Sequence, residues 1–355
     1  MKIKSIDYWK QDMGNTRPYA ISYKTIDEVE SVFLEIGLEN GITGIGSANP
    51  SPYVVGESTA DVNTKLNEGI LDYLIGRNIH ETPALCQELV DKFPQNPGIR
   101  AVADLALYDA FTRHLSVPLV TYFGQKVEKM ATSVTIGIKN VEETLEEARD
   151  YFTDGFRILK VKLGKSVDED VERLVKLREQ FGYEPKIRID CNQGYSVEDL
   201  KQFFQQTAKL DIELIEQPLP ADQIDEMKAL PDEIKDTVAA DECLVSPEDA
   251  FLLAAPPRAS GIFNIKLMKC GGIHQARKIA VIAENAGIDL MWGCNDESIV
   301  SITAGLHAAF SSANTKYIDL DGSLDLAKDV VKGGFILEDG YMMPNGKPGL
   351  GVEKI

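Results

Sequence analysis

From about residue 130 onward, the chain alternates between short apolar runs and longer amphipathic stretches. The apolar runs have the length of strands and cover residues 132–136, 158–163, 187–191, 212–217, 238–242, 262–267, 288–292 and 317–321. The stretches between them repeat apolar residues at helical spacing, most clearly over 141–153, 167–181 and 197–208. Eight strands that alternate with helices predict an α/β fold with a closed parallel barrel over residues 126–322.

The first 125 residues follow a different pattern. Strand-like runs cover residues 3–9, 29–37 and 42–47, and Asn40-Gly41 between the last two runs is a strong hairpin signal. A helix is predicted over residues 99–114. Residues 323–355 contain several glycine turns and no helical pattern, which indicates hairpins. We therefore predict an α+β capping domain of residues 1–125, completed by residues 323–355.

Composition narrows the class of protein. A chain of 355 residues with 44% hydrophobic and 26% charged residues is ordinary for a globular protein with one large and one smaller domain. Its net charge of −19 argues against a nucleic-acid surface. There is no apolar run of the kind that a signal peptide or a membrane span needs, and the five cysteines show no paired spacing. We expect a cytoplasmic homo-oligomer with no membrane or nucleic-acid partner.

Charged residues end six of the apolar runs: Lys162, Asp190, Glu216, Asp241, Lys266 and Asp319. The successive steps are 28, 26, 25, 25 and 53 residues, and the last step skips one run. A step of 25 to 28 residues is the length of one strand–helix–strand unit, so we expect these side chains at one height on successive strands. Barrel enzymes carry their chemistry at the carboxyl ends of the strands. The spacing therefore predicts an active site there.

The three acids Asp190, Glu216 and Asp241 predict a metal site. A carboxylate inside an apolar run is costly unless it is paired or bound to a metal. Three carboxylates from adjacent strand ends suit one octahedral Mg²⁺ per subunit, completed by water or substrate oxygens. Each acid alone could instead be an ordinary loop residue or a helix cap, but that explanation is weak for all three together.

The lysines predict proton transfer. Lys160 and Lys162 lie on one face of their strand because side chains alternate with a period of two. Lys162 and Lys266 fall on opposite strands of an eight-stranded barrel, so they would face each other across the metal. One would remove a proton from a carbon, and the other would return a proton to its opposite face. A Schiff base would use only one lysine and no metal, so it explains less of the pattern.

Asp319 and Asp321 end the last predicted strand, and alternation places both carboxylates inward. Two inward carboxylates suit a cationic group of a substrate, such as an α-ammonium. A helix cap or a structural salt bridge is the alternative.

These residues resemble the motifs of the enolase superfamily, in its muconate-lactonising subgroup. Lys160-Val161-Lys162 is similar to the subgroup's KxK motif, and Asp319-Leu320-Asp321 to the DxD motif of dipeptide epimerases such as the Ala-Glu epimerases. The resemblance implies a modified TIM barrel, (β/α)₇β, with an α+β capping domain. It implies Lys162 and Lys266 as bases, and the three acids Asp190, Glu216 and Asp241 as Mg²⁺ ligands. It implies substrate contacts from Thr135, Lys160, Asp319 and Asp321.

The resemblance implies epimerisation of the carboxy-terminal residue of a dipeptide of Ala-Xaa type. Family members that prefer Ala-Glu grip the glutamate with an arginine of the first capping loop, and Lys24 stands at that place here. Lysine offers a point charge where arginine offers a fork. Lys24 and Asp296 are further candidate substrate contacts, and Asp296 adds negative charge near the pocket. A small or apolar second residue is thus as well supported as glutamate. An o-succinylbenzoate synthase, an N-acylamino acid racemase and a muconate-type cycloisomerase are the alternatives.

Overall fold

A computed structural model describes residues 1–16, 19–20, 25–26 and 28–355 of the chain. Within these ranges, the amino-terminal part contains five strands: β1 (Ile3–Asp12), β2 (Tyr19–Ala20), β3 (Thr25–Ile26), β4 (Glu30–Leu38) and β5 (Thr43–Ala48). Five helices follow: α1 (Pro52–Val55), α2 (Thr59–Asn67), α3 (Thr82–Lys92), α4 (Pro97–His114) and α5 (Leu119–Phe123). Two short 3₁₀ turns, Asp72–Leu74 and Ile79–Glu81, lie between α2 and α3.

The amino-terminal sheet has the order β1-β4-β5 and is antiparallel. The predicted hairpin joins β4 to β5, and Gly41 adopts the left-handed backbone that this turn needs. Helix α4 packs directly on β5 because glycines there leave room for its backbone. A Cβ at Gly44 would lie 2.2 Å from the amide nitrogen of Ala110, and one at Gly46 would lie 2.0 Å from the carbonyl oxygen of Val102. Helix α4 is therefore buried on nearly every side.

The barrel begins after the short strand β6 (Met130–Ala131). Its strands are β7 (Val134–Ile136), β8 (Ile158–Lys162), β9 (Lys186–Asp190), β10 (Ile212–Glu216), β11 (Val238–Ala240), β12 (Ile262–Ile265), β13 (Asp289–Trp292) and β14 (Thr315–Ile318). Its helices are α6 (Val141–Thr153), α7 (Val167–Phe181), α8 (Val197–Thr207), α9 (Ile224–Ala229), α10 (Asp232–Lys235), α11 (Pro247–Ala254), α12 (Leu267–Cys270), α13 (Ile273–Ala286) and α14 (Ile299–Phe310).

The eight barrel strands form one parallel sheet in chain order, from β7 to β14. A parallel bridge between Thr132 and Ile318 connects its two edges, and the amide of Ser133 donates to the carbonyl oxygen of Ile318 at 3.3 Å. The predicted α/β barrel with a separate capping region is therefore confirmed. No helix in the described ranges is both long and apolar enough to cross a membrane.

The starts of two barrel helices are fixed by their caps. Asn140 and Ser196 each accept a hydrogen bond from the amide of the third helical residue, and the acidic side chain of that residue accepts one from the amide of the cap. This reciprocal arrangement satisfies amides that a helix start otherwise leaves unpaired. Helices α6 and α8 accordingly begin at residues 141 and 197, as the sequence predicts.

The carboxy-terminal segment adds four strands: β15 (Val331–Gly333), β16 (Phe335–Glu338), β17 (Tyr341–Pro344) and β18 (Val352–Lys354). Strand β17 pairs with β16 in a hairpin and with β6 on its other side. The end of the chain also reaches α4. The Asp109 carboxylate accepts hydrogen bonds from the amides of Ile45, at 3.0 Å, and Leu350, at 2.7 Å. This one buried side chain thus joins β5, α4 and the carboxy-terminal segment.

Candidate active site

The charged residues singled out in the sequence lie together at the carboxyl ends of the barrel strands. Lys162, Asp190 and Glu216 are the last residues of β8, β9 and β10, and they are neighbours in the strand register. Asp241 follows β11 directly, and Lys266 follows β12. All five side chains are nearly or fully buried. The repeating strand–helix unit therefore brings these residues to one end of the barrel.

Ammonium groups bridge the three acids. Lys160 Nζ lies 3.1 Å from Asp190 Oδ2 and 2.8 Å from Glu216 Oε2. Lys162 Nζ donates to the same Asp190 oxygen at 2.6 Å. Lys266 Nζ donates to Asp241 Oδ2 at 2.8 Å. The carboxylates are thus not left to repel one another, because lysines of neighbouring strands supply the opposite charge.

Each acid is anchored through its other oxygen. Asp190 Oδ1 accepts from the amide of Asn192 at 2.9 Å, Glu216 Oε1 from Asn264 Nδ2 at 2.8 Å, and Asp241 Oδ1 from Lys269 Nζ. The second oxygen of each acid faces Lys160, Lys162 or Lys266 within 3.1 Å, although Glu216 Oε1 also lies 3.9 Å from Lys266 Nζ. The site therefore presents one oxygen from each of three strands.

Strand order places Lys162 and Lys266 on opposite sides of the barrel. Four steps around the sheet separate β8 from β12 in either direction, since there are eight strands. Lys162 contacts Asp190, whereas Lys266 contacts Asp241, and Glu216 lies on the strand between those two acids. The two lysines thus flank the group of acids.

Two cavities meet at these lysines. The larger, of about 370 Å³, lies towards the capping region, and Glu28, Glu30 and Ser51 are in its lining. The smaller, of about 50 Å³, lies towards the first and last barrel strands. Both cavities are lined by Lys162, Lys266, Cys294, Asn295 and Asp296. A molecule held between the lysines could therefore extend in two directions.

The loop after β13 forms the wall that the cavities share, and the capping region fixes it. Asn295 Nδ2 donates to the carbonyl oxygen of Asn49 at 2.9 Å, and Asn49 Nδ2 donates to the carbonyl oxygen of Asp296 at 2.6 Å. These reciprocal bonds hold Asp296 beside both cavities, where the sequence prediction placed a substrate contact.

Asp319 and Asp321 lie just beyond β14 and line the smaller cavity together with Thr135. Asp319 accepts from Lys160 Nζ at 2.7 Å and from Ser133 Oγ at 2.6 Å. Asp321 Oδ2 accepts from the amide of Thr135 at 2.8 Å. Lys160 thus joins Asp319 to the acids on β9 and β10.

Burial and charge displace the pKa values of the acids in different directions. Burial raises the pKa of Glu216 to about 8, and the nearby Asp190 carboxylate adds to the rise. Burial acts the same way on Asp190, but the ammonium groups of Lys162 and Lys160 outweigh it and hold that pKa at about 2. At Lys266, the Asp241 and Glu216 carboxylates outweigh burial and raise the pKa well above its ordinary value. The site therefore favours additional positive charge.

The donor set fits a hard divalent cation. Three carboxylate oxygens from adjacent strand ends are the ligands that Mg²⁺ prefers. The buried Glu216 Oε2 has no hydrogen-bond partner within the described residues, although Lys160 lies near it. In the described part of the chain, no group of three acidic, histidine or cysteine side chains is arranged to hold a metal ion directly. The Lys160 ammonium group lies against both Asp190 and Glu216, and the Lys266 ammonium group lies against Asp241. Binding a cation here requires those lysines to move aside.

One predicted site residue falls outside the described part of the chain, and three buried residues of the site were not predicted. Lys24 lies outside the described residues. Sequence reasoning missed Asn264, Lys269 and Glu242, and all three are buried near Asp241 or Glu216. The alternation that grouped Lys160 with Lys162 also puts Asn264 on the same strand face as Lys266, so that signal was present. No comparable sequence signal indicates Lys269.

The family was established by comparison with known proteins. Residues 7–124 match the amino-terminal domain of mandelate racemases and muconate lactonizing enzymes. Residues 143–354 match the enolase carboxy-terminal domain-like family. The chain belongs to the enolase superfamily.

Similar members of the superfamily span the whole chain. An L-Lys-D/L-Arg epimerase of Desulforapulum autotrophicum is 50% identical over 355 residues, covering 100% of both chains. An L-Ala-D/L-Glu epimerase of Clostridium acetobutylicum is 33% identical and covers 100% of this chain and 99% of its own. The crystal structure of a dipeptide epimerase from Methylococcus capsulatus, in complex with Mg and the dipeptide L-Arg-D-Lys, superposes with a TM-score of 0.98. That protein is 49% identical, with 99% of each chain covered.

Proposed function

We propose that this chain is a Mg²⁺-dependent dipeptide epimerase that inverts the Cα of the carboxy-terminal residue. The observation that carries the proposal is that Lys162 and Lys266 line both cavities from strands on opposite sides of the barrel. Two bases on opposite faces of one carbon can remove a proton from one side and return a proton to the other. The superfamily membership and the dipeptide epimerases among the relatives support the same reaction.

In this mechanism, one of the two lysines is neutral and takes the Cα proton, while the other is protonated and donates to the opposite face. The Asp241 and Glu216 carboxylates raise the pKa of Lys266, and a cation held by the same carboxylates would offset that effect. Asp190, Glu216 and Asp241 would hold Mg²⁺, which supplies positive charge where negative charge develops on the substrate carboxylate. Lys160, beside Lys162, would contact the same carboxylate. Asp319 and Asp321, in the smaller cavity, would hold the α-ammonium of the first residue.

We further propose that both side chains of the dipeptide are cationic. Acidic residues line each cavity: Glu28, Glu30, Glu242 and Asp296 are in the larger one, and Glu147, Asp296 and Asp325 are in the smaller one. An L-Lys-D/L-Arg epimerase is among the similar relatives, and the similar crystal structure holds L-Arg-D-Lys. This preference goes beyond the Ala-Xaa substrates that the sequence suggested. Five cysteines, all unpaired, support placing this activity in a reducing compartment such as the cytoplasm.

The test is hydrogen exchange in D₂O. The chain, Mg²⁺ and L-Lys-L-Arg are incubated, and mass spectrometry and chiral chromatography follow the Cα of each residue. We expect deuterium and inversion at the second residue only. Lys162→Ala and Lys266→Ala should each exchange from one epimer, a different one in each variant, and neither should invert. Lys176→Ala, at an exposed lysine on α7, is the control. Exchange at the first residue, or at neither residue with any cationic dipeptide, would contradict the proposal.

Asp321→Asn separates a dipeptide epimerase from the N-acyl racemase, lyase and cycloisomerase alternatives. A charged hydrogen bond to an ammonium contributes about 1.5–3 kcal/mol, so kcat/KM for L-Lys-L-Arg should fall by about 10- to 100-fold. An N-acylated substrate has no ammonium to lose. If the substitution leaves the free dipeptide unaffected, or if N-succinyl-arginine reacts faster than the dipeptide, the ammonium clamp is refuted.

A further inference from the structure

Lys269 is a buried lysine behind the proposed metal site. It lies on α12, three residues after Lys266, and only 4% of its surface is exposed. A buried ammonium is costly unless it is paired and fully hydrogen-bonded. Lys269 meets that condition, because its Nζ donates to Asp241 Oδ1, to the carbonyl oxygen of Asp241 and to the carbonyl oxygen of Asn264, the last at 3.0 Å. All three of its donors are therefore used.

Lys269 is separated from the place where substrate would bind. It is absent from the linings of the two cavities that Lys162 and Lys266 share. It lines instead a different cavity of about 510 Å³, together with Arg100 and Gln275. An effect of Lys269 on the reaction must therefore pass through the groups that it contacts, and two of its three hydrogen bonds go to Asp241.

We propose that Lys269 is a positioning residue that fixes Asp241 so that only Oδ2 is offered to the metal. Lys269 donates to both the side chain and the backbone of Asp241, which restricts rotation of the carboxylate relative to the main chain. The amide of Asp241 also donates a hydrogen bond to Gln217 Oε1, at 2.9 Å. Lys266 meets only the remaining oxygen. This inference rests on the proposed metal site and adds a residue that neither the motifs nor the cavity linings indicate.

The other two acids have the same arrangement with neutral partners. The amide of Asn192 holds one oxygen of Asp190, and Asn264 Nδ2 holds one oxygen of Glu216. Lys269 differs because it brings a positive charge close to a site for a cation. Charge alone would make Lys269 unfavourable for Mg²⁺, since like charges repel. If Lys269 acts mainly by holding Asp241, its removal should weaken Mg²⁺ binding. If it acts mainly through its charge, its removal should strengthen Mg²⁺ binding.

The experiment measures the dissociation constant of Mg²⁺ by titration calorimetry, without substrate, in the full chain and in Lys269→Met. We expect binding to weaken by about 10- to 100-fold, the usual cost of losing a partner that orients a metal ligand. Tighter binding, or a dissociation constant within twofold of the unmutated chain, would overturn the proposal. Absence of Mg²⁺ binding by the unmutated chain would overturn the proposed metal site as well, so the two failures are distinguishable.

Two further variants complete the design. Lys235→Met removes another buried lysine, whose Nζ donates to the carbonyl oxygen of Lys228 at 3.3 Å on the α9–α10 side of the barrel. It should leave Mg²⁺ affinity unchanged, and an equal loss there would overturn a specific role for Lys269. Lys269→Arg keeps the charge, but its planar group cannot converge on the same three oxygens. If Lys269→Met does not fold, a dissociation constant for Lys269→Arg within twofold of the unmutated chain overturns the proposal, and a weaker one supports it.

Discussion

Replacing Lys160 by methionine should destabilise the chain strongly when no divalent cation is present. Its Nζ lies 3.1, 2.8 and 2.7 Å from carboxylate oxygens of Asp190, Glu216 and Asp319, and the side chain is 3% exposed. The three carboxylates outweigh the effect of burial and raise the pKa of Lys160 well above its ordinary value. Lys160 is therefore a charged group that compensates three buried acids at once.

The size of the effect follows from what the substitution leaves behind. Methionine fills much of the same space, so little packing is lost. Removing one partner of a buried ion pair costs about 3–5 kcal/mol, because the other charge stays buried without compensation. Lys162 remains beside Asp190, so the loss should lie within that range rather than multiply with the three contacts.

The assay is denaturant unfolding of the unmutated chain and of Lys160→Met, each in chelator and in excess Mg²⁺. We expect the variant to lose about 3–5 kcal/mol in chelator and to regain part of it in Mg²⁺, since a bound cation replaces the missing charge. Lys235→Met is the control, because the partner of Lys235, Asp232, is exposed and such pairs contribute at most about 1 kcal/mol. A variant as stable in chelator as the unmutated chain would refute the reasoning.

Two other predictions concern a buried histidine and the wall between the cavities. Burial lowers the pKa of His307 to about 3 in the folded chain. In the unfolded chain the same imidazole has a pKa near 6.5, so the unfolded state takes up a proton first as the pH falls. The stability that His307 contributes above pH 6.5 is therefore lost progressively towards pH 3. The glutamine of His307→Gln can still accept a hydrogen bond from the amide of Val120. Between pH 7.5 and 5, the free energy of unfolding of this variant should fall by about 2 kcal/mol less than that of the unmutated chain. The same fall in both chains, measured by denaturant unfolding at the two pH values, would contradict this. Asn295→Ala removes the hydrogen bond to Asn49 that helps to hold the loop between the two cavities. It should raise KM for a cationic dipeptide by about 5- to 10-fold, with little change in kcat. An unchanged KM in steady-state assays would show that this loop does not position the substrate.

The order and type of the barrel elements could be predicted because local signals agree with the global fold. Each predicted strand overlaps an observed one, and the starts of α6 and α8 were predictable because Asn140 and Ser196 are good caps. The predicted ends of β11, β12 and β14 were too late by two or three residues. Asp241, Lys266 and Asp319 each follow directly after one of these strand ends, and apolar patterning carries no signal for where the strand stops.

The environment of α4 could not be predicted in the same way. Apolar spacing predicted the helix but not its surroundings, and the helix is buried on nearly every side from Pro97 to Thr112. The reason lies in other segments: Gly44 and Gly46 let it approach β5, and Asp104 accepts hydrogen bonds from the amides of Ile273 and His274 on its barrel side. Burial of a helix between two layers depends on what packs against it, which its own sequence does not contain.

The candidate site shows where the limit of such prediction lies. A strand period of two and a regular step of 25 to 28 residues fix the height and face of a side chain, so the set of acids and lysines could be named from the sequence. Those rules do not fix partners. Lys160 and Lys162 share a face, yet Lys160 reaches across to Asp319, just beyond the last barrel strand, whereas Lys162 pairs with its neighbour Asp190. The reach of a lysine spans more than one strand spacing, so the pairing depends on barrel curvature and on the other side chains present. For the same reason Lys269, which follows a strand end by a short helical turn, becomes visible as a partner of Asp241 only in three dimensions.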